Sequence, residues 1–251
     1  PHLPVVYCVH SYPFIPQSHS LTPMLLAFDT ATNTASVALY DRTADLLLAE
    51  QTWQARRRQT EETIPVIQEM LARLEIGTEQ IDALAVTTGP GSFTGVRIAI
   101  SVAKGIALGL EKLPQIIGLP TLCVTGGPFF VPAEATGTTI CAFLQAGRGR
   151  YNWVFLPPGS DLYRPLADEH SFGKIDEFVA EVVDYDEPVW LVGEMNPEVR
   201  SAMAARPLVT LIDGVSGLRR AGMLARLAAS HLAAGQEDDL DRLQPIYLRE
   251  P

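Results

Sequence analysis

Residues 24–40, MLLAFDTATNTASVALY, decide the fold. The first six, MLLAFD, form a continuous apolar run ending in an acid, the pattern of a buried strand. TATNT (30–34) is small and polar and reads as a tight turn. ASVALY (35–40) alternates and reads as the returning strand, with a third strand at 45–51. A sheet therefore opens as a meander, with Asp29 at the mouth of its first turn.

Working outward, Ile64, Ile67, Leu71 and Leu74 make a helical stripe over 60–74. Pro65 is expected in the first turn and Gly77 as the stop. IDALAVT (81–87) reads as a buried strand with helical crossovers. GPGSFTGVR (89–97) follows, and Ser92 is placed to cap a long helix over 93–110. That helix carries two rows of small residues at four-residue spacing. Gly95, Ala99, Ala103 and Ala107 form one; Ser101, Gly105 and Gly109 form the other. Such rows permit close packing, onto the sheet or onto a second subunit.

Residues 111–137 are rich in proline and glycine and read as a boundary. The opening plan then returns, with strand 138–145, turn 146–150 and strand 151–156. After a proline-rich connection come helix 174–183, strand 188–193, short helix 197–205, strand 207–212 and helix 217–234. Two variants of one plan imply an α/β protein with a duplicated domain, spanning 24–118 and 119–251, the last helix packing back on the first domain. Residues 1–23, rich in Pro, His and Ser, read as an extension outside the fold, with Met24 as a candidate start. Their His2, His10 and His19 are an opportunistic metal set at most.

The net charge of −10 argues against unaided nucleic-acid binding. The one basic cluster, Arg56–Arg58, runs into Glu61 and Glu62 and reads as a solvated helix end. Three cysteines, Cys8, Cys123 and Cys141, form no CxxC pair and fit a reducing cytosol. No apolar run reaches the length of a membrane span.

The glycine loop fails three phosphate and nucleophile templates. It lacks the Lys-Ser/Thr of a Walker A loop, is one residue too long for GxGxxG, and offers no GxSxG. Two-domain phosphotransferases clamp phosphates between two hairpin turns, with an acid on each side for Mg²⁺ or water. Asp29, with Thr30 beside it, is the nucleotide-proximal candidate in the first turn, or else a turn-capping aspartate. The second turn carries Gln145, a neutral amide, where the second acid is required.

LLAFDTATNTASVALYD (25–41), GPGSFTGVRIAISVAKGIALGL (89–110), QAGRGRYNWVF (145–155) and the closing PIYLRE (245–250) together resemble the TsaB (YeaZ) family. The resemblance covers residues 24–250. It implies two related domains of the actin/hexokinase-like (ASKHA, ribonuclease H-like) class, with mixed sheets flanked by helices. It implies a cytoplasmic, non-catalytic partner in the synthesis of threonylcarbamoyladenosine on tRNA. The TsaD paralogue would carry ATP, metal and the transfer chemistry; a TsaE-like ATPase would join, and tRNA would be met only through the complex. The chain alone would be a homodimer, without a membrane, metal or cofactor of its own. The shared interface would use the helices at 60–74 and 93–110, with Ile64, Ile67, Leu71, Gly91, Phe93, Thr94, Gly95, Arg97, Ala99, Ala103 and Ala107. The glycines of 89–95 would let subunits approach closely, and Thr94 and Arg97 would meet the partner or serve as simple capping and solvation. Two departures stand out. RRRQTEETIPV (56–66) has Gln59-Thr60 where many members of the family it resembles keep a histidine, and Gln145 stands where that family often has Asp.

Two other classes stay in view. An independent ATPase or small-molecule kinase of the same fold lacks its second carboxylate. A peptidase needs a nucleophile with a base or a zinc set, and neither HExxH nor a His–Cys cluster is present.

Overall fold

The computed structural model describes residues 22–204 and 206–248; the histidines and cysteine of the first 21 positions lie outside them. Two five-stranded sheets share one topology. In the first, β1 (Met24–Asp29), β2 (Thr34–Asp41) and β3 (Leu46–Gln54) form an antiparallel meander. β4 (Ile81–Thr87) lies parallel to β1 on its other side, and β5 (Gln115–Leu119) parallel to β4. In the second, β6 (Thr139–Ala146), β7 (Arg150–Leu156) and β8 (Ser171–Lys174) repeat the meander. β9 (Val189–Gly193) is parallel to β6, and β10 (Val209–Leu211) parallel to β9. The repeated order matches the duplicated plan expected from the sequence.

Strand alternation sends each sheet's side chains to two different cores. The outer face of the first sheet (Leu26, Phe28, Val37, Leu84, Val86) packs on α1 (Gln59–Arg73) and α2 (Phe93–Gly109). The outer face of the second (Phe143, Tyr151, Trp153) packs on α5 (Ile175–Asp184) and α6 (Pro197–Met203). The inner faces of both enter one central core. It is filled by Leu122, Cys123 and Val124 of α3 (Thr121–Gly126), by Phe130 and Ala133 of α4 (Phe130–Thr136), and by Leu224, Ala225, Leu227 and Ala228 of α7 (Ala221–Ala233). The closing helix thus touches β1 and β2 as well as β5.

Several sequence expectations need correction. Pro65 sits in the second turn of α1, because the helix begins at Gln59, whose side chain is buried and donates to the Thr32 carbonyl at 2.8 Å. Gly77 does not stop that helix. Glu75 takes the left-handed position (φ 54), and Ile76 N–H reaches back to the Leu71 carbonyl at 3.0 Å, with Glu75 N–H on the Ala72 carbonyl at 3.2 Å. That is a Schellman stop carried by a non-glycine residue. The supposed boundary 111–137 contains β5, α3 and α4. The prolines and glycines there punctuate short buried elements rather than a linker. The proline-rich connection before α5 likewise holds β8.

Candidate functional site

The first turn carries the acid that a phosphate clamp between two hairpins would use, so its residues come first. Asp29 ends β1 and is 1% exposed. One carboxylate oxygen, Oδ1, accepts from the Ala31 backbone N–H at 2.8 Å and from the Thr87 hydroxyl at 2.5 Å. The other, Oδ2, forms an ion pair with Arg219 Nε at 2.5 Å, and the same guanidinium donates to the Thr32 hydroxyl at 3.0 Å. Arg219 comes from the loop before α7, on the side of the second sheet. Burial works against its charge, but the carboxylates of Asp29 and Glu194 overcome this and raise its pKa.

The Asp29 carboxylate is therefore spoken for on both oxygens by the chain itself. The turn-capping reading of Asp29 describes its geometry, with an ion pair added. A crevice lined by Thr34, Gly193, Glu194, Gly217 and Arg219 remains beside it, with a volume of about 40 Å³. Ligand pockets of ordinary size run to roughly 300 Å³ and more. Thr30 is buried as well, its hydroxyl donating to the Gly95 carbonyl at 2.6 Å. Gln145, the counterpart in the second sheet, is exposed at the end of β6.

The glycine loop turns β4 into α2. Ser92 caps the helix as its sequence implied, its hydroxyl accepting from the Gly95 N–H at 3.2 Å. Two of its glycines are required by contacts within this chain. A β-carbon at Gly91 would collide with the Ala31 carbonyl, and one at Gly95 with the Thr30 carbonyl. The loop is seated on the β1–β2 turn, and the backbones touch because no side chain intervenes.

The interface residues expected from sequence divide into two groups. Ala99, Ala103 and Ala107 are each 0% exposed and, with Gly95, face the sheet. Ile67 and Leu71 are buried in the same core. Helix α2 needs small residues on that face to lie close over β1 and β4, so these six positions are not available to a partner. Gly91, Phe93, Thr94 and Arg97 are exposed, and Ile64 is half-buried. Phe93 is 51% exposed under the Arg97 guanidinium, 3.8 Å from the ring centroid. Arg97 Nε also donates to the Tyr247 hydroxyl at 2.9 Å, which ties the C-terminal segment to this corner. Sequence reading missed that contact, which spans 150 positions.

The row that does face outward is Ser101, Gly105 and Gly109, continued by Leu108 at 80% and Leu113 at 69% exposure. A β-carbon at Gly105 or Gly109 would meet nothing within 4 Å. The signal was present in the sequence: Arg97 stands four residues ahead of Ser101 in the same row, and a charge marks the solvent face.

Among the described residues no group of three or more His, Cys, Asp or Glu side chains could hold a metal ion, and no helix is long and apolar enough to cross a membrane. Burial pushes the Cys123 thiol up to about 12 and the Cys141 thiol well above its usual range, which leaves both as inert thiols.

With this geometry in place, likeness to known proteins can be weighed. Residues 52–154 match the family model described as TsaD, tRNA N6-adenosine threonylcarbamoyltransferase. The tRNA threonylcarbamoyladenosine biosynthesis protein TsaB of Escherichia coli K12 is 29% identical over 226 residues, covering 90% of this chain and 94% of that protein. The TsaB protein of Haemophilus influenzae is 46% identical over 92 residues, 37% of each chain. These relatives support assignment of the chain to the TsaB (YeaZ) family. YeaZ from Pseudomonas aeruginosa shares the fold at a TM-score of 0.66, with 23% identity over 90% of this chain and 99% of that one.

Proposed function

We propose that this TsaB-family chain is a non-catalytic partner subunit in the synthesis of threonylcarbamoyladenosine on tRNA. It docks a TsaD-like transferase and activates it. The observation that carries this reading is the sealed Asp29 site: the acid that would serve a metal or an attacking water is held on both oxygens by the chain's own groups. A TsaD-like partner supplies ATP, metal and transfer chemistry.

The docking face is the outward side of α2 with the loop that precedes it. Gly91, Phe93, Thr94 and Arg97 lie at one end and Ser101, Gly105, Leu108 and Gly109 along the helix, with Ile64 of α1 at the flank. Small residues let another helix approach, and exposed leucines supply apolar area for it to cover. In isolation the same face pairs two copies of the chain. A TsaE-like ATPase joins the complex, tRNA is met only through it, and the setting is the cytoplasm. The net charge of −10 supports the indirect contact with tRNA.

The test is size-exclusion chromatography with light scattering on the chain alone and mixed with the TsaD-like protein of the same organism, with and without ATP. A mixed complex that forms at the expense of a homodimer, and that modifies tRNA where the transferase alone does not, is the expected result. Absence of association, or Mg²⁺-dependent ATP turnover by the isolated chain, overturns it in favour of an autonomous ATPase or kinase.

A further inference from the structure

The β1–β2 turn is a hub. Thr30 donates through its hydroxyl to the Gly95 carbonyl at 2.6 Å, and the Ala31 carbonyl accepts from Ser92 N–H at 2.6 Å; both bonds reach the start of α2. The Thr32 carbonyl accepts from the Gln59 side chain at 2.8 Å, which reaches the start of α1. The Asn33 carbonyl accepts from Ala55 N–H at 2.8 Å, in the segment leading into α1. Each of the four turn residues thus holds one bond to the entry of an outer helix. The turn itself is held from the opposite side by a single cation. Arg219 grips Asp29 below it and the Thr32 hydroxyl within it.

We propose that Arg219 is a positioning residue for partner docking: a built-in cation that seats the β1–β2 turn and, through it, fixes the entry ends of both α1 and α2. The inference rests on the docking face proposed above. Physically it follows from the burial. The Arg219 and Asp29 side chains are 4% and 1% exposed, so neither charge is tolerable without the other. A guanidinium occupies its seat with directional N–H groups, so the turn has one permitted position. The bonds from the turn to both helices are short and buried, and transmit that position without slack. The chain thereby does with its own side chain what a bound cation does in a nucleotide-closed cleft: it joins the two domains and orders the elements that face outward.

The experiment uses the full chain with Arg219→Met, Arg219→Lys and a control, Val182→Ala, in the second sheet's outer core, 1% exposed and outside the network. Two quantities are read: affinity for the TsaD-like protein by calorimetry, and amide exchange at Ser92 and Ala55. Arg219→Met is expected to lose about tenfold in affinity and to exchange faster at both amides. Arg219→Lys, which keeps a charge and one donor direction, falls between it and the parent. Val182→Ala is expected to lower stability while changing neither quantity. A folded Arg219→Met that binds within about twofold of the parent and keeps both amides protected overturns the inference. Should Arg219→Met fail to fold, Thr32→Val removes one arm of the guanidinium, and unchanged protection at Ser92 and Ala55 in that variant counts equally against it. If the parent itself does not bind the TsaD-like protein, the docking reading falls, and the exchange arm still decides whether Arg219 holds the helix entries.

Discussion

Helix α2 shows two rows of small residues on opposite sides of its axis, with opposite roles. On one side Gly95, Ala99, Ala103 and Ala107 are buried and let the helix lie close on its own sheet. On the other Ser101, Gly105 and Gly109 are exposed, and an added β-carbon at either glycine meets nothing. The same residue types at the same spacing are a packing device in one row and an uncovered surface in the other. Small-residue spacing states that something can come close; what comes close is decided by the neighbours of the row.

That contrast is breakable in four ways, taken from the largest effect down. Ala103→Glu places a carboxylate in the core between α2 and the sheet. It is expected to cost about 4 kcal/mol or more and to unfold the chain, by circular dichroism, rather than to separate a pair of folded subunits. A well-folded Ala103→Glu protein would move that row to the outside. Gly95→Ala drives a methyl into the Thr30 carbonyl and is expected to cost about 1–3 kcal/mol in a denaturant titration. Leu108→Glu, at an 80% exposed position, should leave the denaturation midpoint within about 0.5 kcal/mol of the parent while weakening self-association and binding of the TsaD-like protein. Full association by light scattering in that variant would remove Leu108 from the docking face. Gly105→Ala is expected to stabilise the free chain by a few tenths to about 1 kcal/mol, since the methyl enters open space and helix propensity improves. A loss of stability there would mean the row is already packed.

Much of the architecture was legible in the residues. The opening hairpin, its repeat at 139–156, the run of strand 81–87 and the Ser92 cap all follow from local pattern and appear in the fold. What escaped had physical reasons. QIIGL (115–119) is a five-residue strand between Pro114 and Pro120, too short for period to distinguish from a connection. Glu75 at φ 54 carries the helix stop that Gly77 was expected to carry, because tertiary packing of Ile76 overrode the local preference for glycine. The candidate site was less legible than the fold. Asp29 was singled out, but its partner stands 190 positions away, and nothing about an arginine in a Gly-Leu-Arg-Arg stretch marks it for burial. The orientation of α2 was encoded in the placement of Arg97 and Lys104 relative to each row, a signal weaker than the small residues themselves.

The route of the chain's last segment has a consequence for assembly. After α7 the backbone returns to the first sheet: Asp238 N–H bonds the Ile116 carbonyl at 2.9 Å, Ile246 N–H bonds the Thr88 carbonyl at 2.7 Å, and Tyr247 meets Arg97. α7 itself covers the inner face of β1 and β2. The first sheet therefore receives its inner cover and its edge contacts from residues that follow the second sheet in the chain. During translation its inner face waits, unshielded, for nearly the whole second domain to emerge, and its completion is a late, long-range event of the slow kind. Removal of residues 221–248 would fall hardest on the first sheet, far from them in sequence.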